Sequence, residues 1–414
     1  MLLGNLLGSA CEHARLPILL LVFSLPVTVA IAIVVIEAWA GYLLPRKRAA
    51  AEFAPGPIAV LIPAHDEVDG IETTIGALQN ELRPGDRLLV VADNCTDRTA
   101  AVARAAGAEV RERFDPDRRG KGHALAFGIA ALRATPPRTL IIIDADCTPS
   151  PGSLRALAAA AEGRDRPAQA IYLLDPPDDA GVRTRVSVLA FLFKNVVRPR
   201  GLQRLGLPCP LTGTGMAIPW RLVDRVTWAS SNLVEDMQLG IDFTLAGHGP
   251  TLCEDALVIS NPPSTVAAAT TQRTRWEHGH LATLLRAGPR LIGTGIRRRK
   301  LGPLAAGIDL AVPPLASVCL AWIALAAIAT PLWAIGAIGS SPKALLMISG
   351  LALLATIATA IVRDGGQRVR LRDLASVPIY VAWKMPLYAR FLTRRETRWV
   401  RTDRNCAARS DAND

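Results

Sequence analysis

The stretch from Thr139 to Cys147 reads TLIIIDADC, a hydrophobic run that ends on two acidic residues. The run itself, Leu140 to Ile143, is flanked by prolines and predicts a buried strand of a parallel sheet. Asp144 and Asp146 follow with one alanine between them, so both carboxylates can turn toward one point where the strand ends. Such a pair suits a hard cation such as Mg²⁺, which also takes water and phosphate oxygens. The alternative interpretation is a solvated acidic turn.

The chain around this stretch alternates between strand and helix patterns from about Phe53 to Pro289. This order predicts an α/β domain with a doubly wound, mostly parallel sheet and helices on its faces. Two longer helices are expected after a glycine- and proline-rich stretch. The expected strands are 57–62, 87–93, 109–113 and 140–144, and the expected helices are 71–82, 97–106, 122–132, 235–246 and 266–285.

The composition combines a soluble domain with membrane segments. Of the 414 residues, 50% are hydrophobic and 20% are charged, and the formal net charge is +11. Basic runs flank the apolar segments, as expected at an anionic cytoplasmic leaflet, and no nucleic-acid-binding signature accompanies them. We therefore expect membrane lipids, and no nucleic acid, among the partners. The seven cysteines include no CxxC pair and are expected to be reduced thiols.

Three apolar segments are long enough to cross a membrane. The first, about 16–44, precedes Arg46 to Arg48, which places its C-terminal end in the cytoplasm and argues against a cleaved signal peptide. Two further spans are expected at about 310–335 and 344–362. Prolines 313, 314 and 331 predict kinks in the second span.

A fourth apolar piece, about 374–392, contains Lys384 and Arg390 and is interpreted as an interfacial helix on the cytoplasmic face. This arrangement keeps the basic run from Arg394 to Arg404 in the cytoplasm. We expect an integral protein of the cytoplasmic (inner) membrane with a cytoplasmic catalytic domain. The expected organisation is an N-terminal membrane helix (1–48), an α/β domain (53–289), a membrane region (290–392) and a basic tail (393–414).

Acidic residues follow two other expected strands, in PAHDE (63–67) and in DNCTD (93–97). Glu67 and Asp93 would therefore lie with Asp144 along the edge of the sheet where ligands bind in open α/β folds. An isolated acid at such a position is more often a helix cap, and this is the role expected for Asp97.

Two loops and two helix starts offer further polar groups. Lys121, in GKG, opens a helix and suits a phosphate, although a plain surface turn would look the same. The small-residue loop LTGTG (211–215) could accept a bulky neutral substrate or be an ordinary turn. Glu235 and Asp236 begin a helix, where acids are favoured by the helix dipole. The more specific hypothesis makes Asp236 a general base for an acceptor hydroxyl.

The segment QRTRW places Gln272, Arg275 and Trp276 on one face of an expected helix. An amide, a fixed cation and an aromatic ring suit a diphosphate and a sugar ring. A basic amphipathic helix on a membrane surface would show the same pattern.

Taken in order, PAHDE, DNCTD, GKG, DAD, VED and QRTRW resemble the motifs of membrane-integrated family 2 glycosyltransferases, which include cellulose, hyaluronan and poly-N-acetylglucosamine synthases. The resemblance covers about Pro57 to Trp276. It implies a GT-A fold and an inverting transfer from a nucleotide sugar, with a UDP-sugar expected first, to a carbohydrate or lipid-linked acceptor. His65-Asp66 and Val234 depart from the family pattern and leave the acids in place.

By the same resemblance, each motif residue has an expected role. Glu67 and Asp93 would contact the nucleobase and ribose region, Lys121 the nucleotide or diphosphate, and Asp144 the donor. Asp146 would hold Mg²⁺ or Mn²⁺. Asp236 would be the base, and Glu235, Gln272, Arg275 and Trp276 would hold the diphosphate and acceptor.

Three functions remain open on the sequence. The first is synthesis of an extracellular polysaccharide, with export proteins as partners, which QRTRW favours because this motif accompanies polymer synthases. The second is transfer of a single sugar to a lipid carrier. The third is a catalytically silent scaffold of an export complex, against which the retention of all the acids argues. With two spans expected after the catalytic domain, fewer helices are available to enclose a polymer channel. Whether the enzyme adds many sugars to one product or a single sugar therefore stays open.

Overall fold

A computed structural model describes residues 2–46, 55–230, 232–263, 265–366 and 368–393. The basic residues Lys47 and Arg48 and the expected tail from Arg394 onward lie outside these ranges. Within these ranges the α/β domain contains eight strands that form one sheet. They are β1 (Ile58–Ala64), β2 (Arg87–Asp93), β3 (Glu109–Arg113), β4 (Thr139–Ile142), β5 (Cys147–Pro149), β6 (Ala168–Leu174), β7 (Met216–Pro219) and β8 (Thr251–Ser260).

The sheet has the order β3-β2-β1-β4-β7-β6-β8-β5 and is mixed, with mostly parallel pairs. The first four strands in this order are parallel, with Val60 opposite both Leu88 and Ile141. Strands β7 and β5 run antiparallel to their neighbours, whereas β6 and β8 are parallel to each other. The four expected strands are therefore confirmed as a parallel half, and the other half adds antiparallel pairs that the sequence pattern did not show.

Thirteen α-helices lie within the described ranges, and seven of them lie between strands in the chain. In chain order they are α1 (Leu2–Leu43), α2 (Ile71–Gln79), α3 (Thr99–Ala105), α4 (Lys121–Leu132), α5 (Ser153–Arg164), α6 (Val182–Leu192), α7 (Arg198–Leu205), α8 (Glu235–Leu245), α9 (Val266–Arg298), α10 (Leu301–Ala311), α11 (Leu315–Ala334), α12 (Ser340–Ala360) and α13 (Val377–Thr393). A π-helical turn, Phe193–Val197, joins α6 to α7.

Alternate residues of the central strands fill two separate apolar cores. On β1, Val60 and Ile62 belong to one core and Leu61 to the other, and all three are fully buried. This burial on both faces explains why the strands read as continuous apolar runs, because helices cover a parallel sheet on both sides. The resulting rigid strand ends can position polar groups accurately.

Three helices are long and apolar enough to cross a membrane, at Leu16–Leu43, Leu315–Ala334 and Ser340–Gly365. They correspond to the three expected spans. The second differs from the expectation at Pro313 and Pro314: the chain does not kink within one helix there, but ends α10 at Ala311 and starts α11 at Leu315. Proline cannot continue a helix hydrogen-bond ladder, and a second proline reinforces the break.

The remaining membrane-proximal helices also differ in detail from the pattern. Helix α9 continues through Pro289 to Arg298, so the expected domain boundary at 289 falls within a helix. On α13, the Lys384 side chain is buried and forms an ion pair with Glu277 of α9. Lys384 is therefore not an exposed charge, and it does not support the interfacial position expected for this helix.

A group of largely buried charges, which we call the junction, joins the apolar helices α1 and α10 to the α/β domain. Its central residue is Arg198 on α7, whose guanidinium donates to Glu37 of α1 and to Asp309 of α10, each at 2.6 Å. Close packing accompanies these bonds, because a Cβ on Gly201 would lie 1.7 Å from the carbonyl oxygen of Glu37. Only glycine therefore fits where α7 crosses α1.

Candidate active site

The two acids of the opening stretch lie in the short loop between β4 and β5. The backbone N–H of Asp144 donates to Thr214 Oγ1 at 3.1 Å, which fixes the loop beside the LTGTG segment. One ligand atom each from Asp144, Asp146 and Cys147 lies within 4.8 Å of the other two. The expected convergence of the two carboxylates therefore occurs.

The chemistry of this set fits a hard divalent cation held by the two carboxylates. Cys147 is fully buried, and burial raises the pKa of its thiol to about 12. The thiol is therefore protonated at neutral pH and unsuited to a hard cation, which takes oxygen ligands. Asp144 and Asp146 would be the protein ligands.

A second acidic group, formed by Asp66, Cys95 and Asp97, has a structural explanation. Asp66 Oδ1 accepts the backbone N–H of Thr96 at 2.6 Å, and Asp97 Oδ1 accepts that of Thr99 at 2.8 Å. Asp97 thus accepts the first backbone N–H of α3, but from the position before the N-cap residue, Arg98, and not as the N-cap residue itself. Asp66 has a positive φ of 53°, a strained conformation for a non-glycine residue, and its hydrogen bonds hold it there.

Lys121 connects the loop that contains Asp144 and Asp146 to the LTGTG segment. Its Nζ forms an ion pair with Asp144 and donates to the carbonyl oxygen of Gly213 at 2.7 Å. Burial lowers the pKa of Lys121, but the charges of Asp144, Glu235 and Asp236 outweigh it, so the pKa is raised. The ammonium therefore stays charged at the point where a phosphate was expected.

The two acids of VED begin α8 and face the same space. Asp236 Oδ1 accepts the backbone N–H of Met237 at 2.8 Å, and a Cβ on Gly213 would lie 3.3 Å from Asp236 Oδ2. Burial, and next the charge of Asp236, raise the pKa of Glu235 to about 7, against the opposing charge of Lys121. Near neutral pH the Glu235 carboxyl is therefore partly protonated, and it lies beside the expected base, Asp236.

QRTRW lies near the start of α9, and its residues divide between two environments. Burial lowers the pKa of Arg275, whereas Glu235, Asp144 and Asp236 favour its charged form, which places the guanidinium among these acids. Gln272 is buried. Trp276 instead packs against Phe191, with ring centroids 5.9 Å apart.

We call the group of charged side chains around the loop after β4 the acidic edge. Its carboxylates outnumber its cations, and it surrounds a space where a metal and a diphosphate could lie. Its members are Lys121, Asp144, Asp146, Glu235, Asp236 and Arg275.

Glu67 and Asp93 lie farther along the same side of the sheet. Asp93 is only 6% exposed, and its Oδ1 accepts hydrogen bonds from Arg113 at 2.6 Å and from Asn94 at 3.0 Å. Glu67 is partly buried, and its backbone N–H donates to Thr99 Oγ1 at 2.8 Å. The nucleobase and ribose roles expected for both acids stay predictions.

The sequence analysis missed two residues that position these acids. Arg113 ends β3 and fixes Asp93, and no local pattern in EVRER indicates that pairing. Thr214 holds the backbone of Asp144, and the signal for it was present in LTGTG, which was interpreted as a substrate loop or an ordinary turn.

Comparisons with known proteins agree with this fold. The family model described as "Glycosyltransferase like family 2" matches residues 55–279, more than half of the chain. The probable glycosyltransferase YdaM of Bacillus subtilis (strain 168) is 26% identical over 249 residues, which are 55% of this chain and 56% of that protein. The chain thus spans just over half the length of this curated relative.

A solved structure resembles a larger share of the chain. The mannosyltransferase PcManGT from Pyrobaculum calidifontis, in complex with GDP-Man and Mn²⁺, matches with a TM-score of 0.55 over 91% of this chain and 100% of that chain, at 19% sequence identity. At this identity the likeness concerns the fold alone. From the matched family model and this fold, the chain belongs to the family 2-like glycosyltransferases and has a GT-A-like fold.

Proposed function

We propose that the protein is an inverting, metal-dependent glycosyltransferase that transfers a sugar from a nucleotide sugar to an acceptor hydroxyl at the cytoplasmic face of the membrane. The observation that carries this proposal is the acidic edge. Separate segments of the chain bring a carboxylate pair, two cations and two further acids together at one end of the sheet. That combination serves both ends of a glycosyl displacement.

Asp236 is the general base of this mechanism. It takes the proton of the acceptor hydroxyl while that oxygen bonds to the anomeric carbon of the donor, and the bond from this carbon to the diphosphate breaks. Its carboxylate is oriented by the N–H of Met237. A single displacement without an enzyme nucleophile inverts the configuration of the sugar.

Lys121 and Arg275 stabilise the diphosphate as it leaves with the bonding electron pair. Both cations lie among the carboxylates of the acidic edge, so they are held in position before the donor binds. A divalent cation bound by Asp146, with Asp144, would supply further stabilisation of charge on the diphosphate. Mg²⁺ and Mn²⁺ both suit these oxygen ligands.

The acceptor class is the finer part of the proposal. QRTRW and the position of Trp276 support a carbohydrate acceptor, in the first place a growing extracellular polysaccharide, with export proteins as partners. Transfer to a lipid carrier is the second candidate, because Trp276 lines a cavity that membrane helices share. The donor is expected to be a UDP-sugar, and the GDP-mannose bound to PcManGT makes GDP-sugars the necessary second set.

The test is turnover by the full-length protein purified in detergent. UDP- and GDP-sugars are supplied with Mg²⁺, Mn²⁺ or EDTA, and released nucleotide and glycosylated product are measured. We expect one donor to be used in a metal-dependent reaction, and Asp236→Asn to reduce the rate by at least about a hundredfold.

The matched control is Asp224→Asn, because Asp224 is an exposed acid that pairs with Arg133 away from the acidic edge. A long product would identify a polymer synthase, and a single-sugar lipid product would identify the second candidate. If wild-type protein turns over no donor even with added lipid, the scaffold function replaces the enzyme.

A further inference from the structure

The first part of α9, from Val266 to His280, lies between the acidic edge and α13. On the side of the acidic edge, Gly279 packs against Val234, the residue before the two acids of α8, because a Cβ on Gly279 would lie 2.7 Å from Val234 Cγ1. On another side, α13 contacts the same part of the helix, although it follows the last apolar span in the chain. The segment QRTRW is therefore held between two distant parts of the sequence.

The spacing of the residues assigns these contacts to different faces of α9. Gln272, Arg275 and Gly279 share one face, and Arg273 and Glu277 share another, because residues three or four apart are neighbours on a helix surface. Arg275 and Glu277 are only two residues apart and therefore point about 200° from each other around the helix axis. Any rotation of α9 at Glu277 consequently moves the guanidinium of Arg275 as well.

The central contact of α13 with this helix is the ion pair between Lys384 Nζ and Glu277 Oε1. Both side chains are almost fully buried, with 4% of Lys384 and 10% of Glu277 exposed. The other carboxylate oxygen, Oε2, has no hydrogen-bond partner among the residues that the structure describes. Because a buried carboxylate without its cation is costly, Lys384 holds Glu277 in one place.

Neighbouring side chains fix α13 in the same position along α9. The guanidinium of Arg273 lies 5.5 Å from the ring centroid of Tyr380 and 5.6 Å from that of Trp383, a distance at which a cation and an aromatic ring attract each other. His278 Nε2 is 3.1 Å from the carbonyl oxygen of Leu387. The ion pair is thus one of a row of contacts that runs along α13.

The orientation of α9 matters for the reaction because this helix carries Arg275 to the acidic edge. The guanidinium lies among the charges of Glu235, Asp144 and Asp236, where the diphosphate would leave. A shift of about 1 Å in a group that acts on the reacting atoms can reduce the rate by about a hundredfold. A contact that prevents rotation of α9 therefore acts on the rate through Arg275.

We propose that Lys384 is a positioning residue for the transfer reaction. By pairing with Glu277 it sets the orientation of α9 and holds the guanidinium of Arg275 at the acidic edge. Helix α13 is then a strap that joins the end of the membrane region to the active site. The inference rests on the proposed glycosyltransferase function, in which Arg275 stabilises the leaving diphosphate.

The first test is a double-mutant cycle on turnover of the nucleotide sugar by the full-length protein in detergent. Lys384→Met is expected to reduce kcat by about tenfold or more in the wild-type background. In the Arg275→Gln background the same change should reduce the residual kcat by less than about twofold, because the group that Lys384 positions is already absent. Equal losses in both backgrounds would overturn the proposal, since a purely structural role does not depend on Arg275.

The second test restores or removes the charges as a pair. Exchange of the partners, Glu277→Lys with Lys384→Glu, should recover part of the kcat that each single change removes. Glu277→Leu with Lys384→Met removes both buried charges and is expected to fold, because replacing both partners of a buried pair by apolar groups is often neutral for stability. This variant should still show the lower kcat. Failure of the exchange to recover any activity, together with wild-type kcat in the apolar variant, would contradict a role of the pair.

The chain offers a matched control in Arg204→Met. Arg204 on α7 forms a comparably buried ion pair with Glu254 on β8, with 7% and 12% of the two side chains exposed. Its loss should lower the unfolding temperature, as in Lys384→Met, but should reduce kcat by the same factor whether or not Arg275 is present. A loss in this control that also disappears in the Arg275→Gln background would show that the cycle reports general destabilisation.

Wild-type turnover separates this inference from the proposed function. If the wild-type protein uses a nucleotide sugar and Lys384→Met has the same kcat, the positioning role fails and the glycosyltransferase function stands. If the wild-type protein uses no donor, the proposed function fails, and the positioning role fails with it.

Discussion

The acidic edge and the junction contain the same kinds of side chain in opposite settings. At the junction, Arg198 is enclosed between Glu37 and Asp309, which come from helices distant in the sequence. At the acidic edge, Asp144 and Asp146 lie in a partly exposed loop, and the carboxylates there outnumber the cations. Charges in the first region connect parts of the fold, whereas charges in the second are arranged around a space for a ligand.

This difference leads to a separation of effects. Substitutions at the junction should lower stability, and substitutions at the acidic edge should lower turnover with little change in stability. Each of the following predictions tests one side of that separation, and they are given from the largest expected effect to the smallest.

Arg198→Met is expected to lower the free energy of unfolding by about 3 to 5 kcal/mol, because it leaves the buried Glu37 and the partly buried Asp309 without their cation. Thermal unfolding of the purified protein in detergent measures this loss. The control is Arg133→Met, which removes an exposed ion pair with Asp224 and should change stability by less than about 1 kcal/mol. Equal stability of the two variants would remove the distinction between the regions.

Asp146→Asn is expected to reduce metal-dependent turnover by about a hundredfold, a loss on the scale of other transition-state charge interactions. The unfolding temperature without metal should stay close to that of the wild type. Turnover is measured across a series of Mn²⁺ concentrations. Unchanged turnover with an unchanged metal requirement would show that Asp146 is not a metal ligand.

Lys121→Met should act in two directions because Lys121 is paired with Asp144. Without donor, the freed carboxylate of Asp144 should bind Mn²⁺ more tightly. The KM for the nucleotide sugar should rise by about tenfold, which corresponds to a loss of about 1.4 kcal/mol in binding free energy. Titration calorimetry and steady-state kinetics measure the two effects. Weaker Mn²⁺ binding in this variant would mean that Lys121 supports the metal site instead of competing with it.

Glu235 gives the smallest effect and a defined pH window. Its pKa is raised from 4.5 to about 7, so below about pH 4.5 the acid is protonated in both the folded and the unfolded protein. Between pH 4.5 and 7 the unfolded chain loses this proton first, and the stability contributed by the protonated form is lost as pH rises. The full change of pKa from 4.5 to about 7 would correspond to about 3 kcal/mol, but Glu235 is partly exposed. Compared with Glu235→Gln, metal-free wild-type protein should therefore lose on the order of 1 kcal/mol across this window.

Denaturant unfolding of both proteins at pH 4.5, 6 and 7.5 measures this difference. Parallel stability curves would show that the environment of Glu235 does not change its proton affinity.

The sequence predicted those parts of the molecule that local patterns specify. Apolar runs of four or more residues located β1, β2 and β4, and the acids directly after β4 located the strand end at which Asp144 and Asp146 meet. The short strands β5 and β7, of three and four residues, carry no periodicity and depend on pairing with distant strands. They could not be predicted from local patterns.

Pairing over long sequence separations explains the other differences. Lys384 was interpreted as a surface charge, but its partner Glu277 lies 107 residues away. Arg113, the partner of Asp93, is on a different strand and in no motif. By contrast, the break at Pro313 and Pro314 was visible in the sequence, and the error lay in expecting a bend of one helix where two helices meet.

The junction also has a consequence for how the chain is made. Glu37 lies in the first membrane helix, and its partner Arg198 is synthesised 161 residues later. At typical rates of translation this separation corresponds to roughly ten to thirty seconds. During that interval α1 carries an acid without its cation, and Gly201 has not yet been added to close the crossing of α7 with α1. The packing of α1 against the α/β domain can therefore be completed only after about half of the chain has been synthesised.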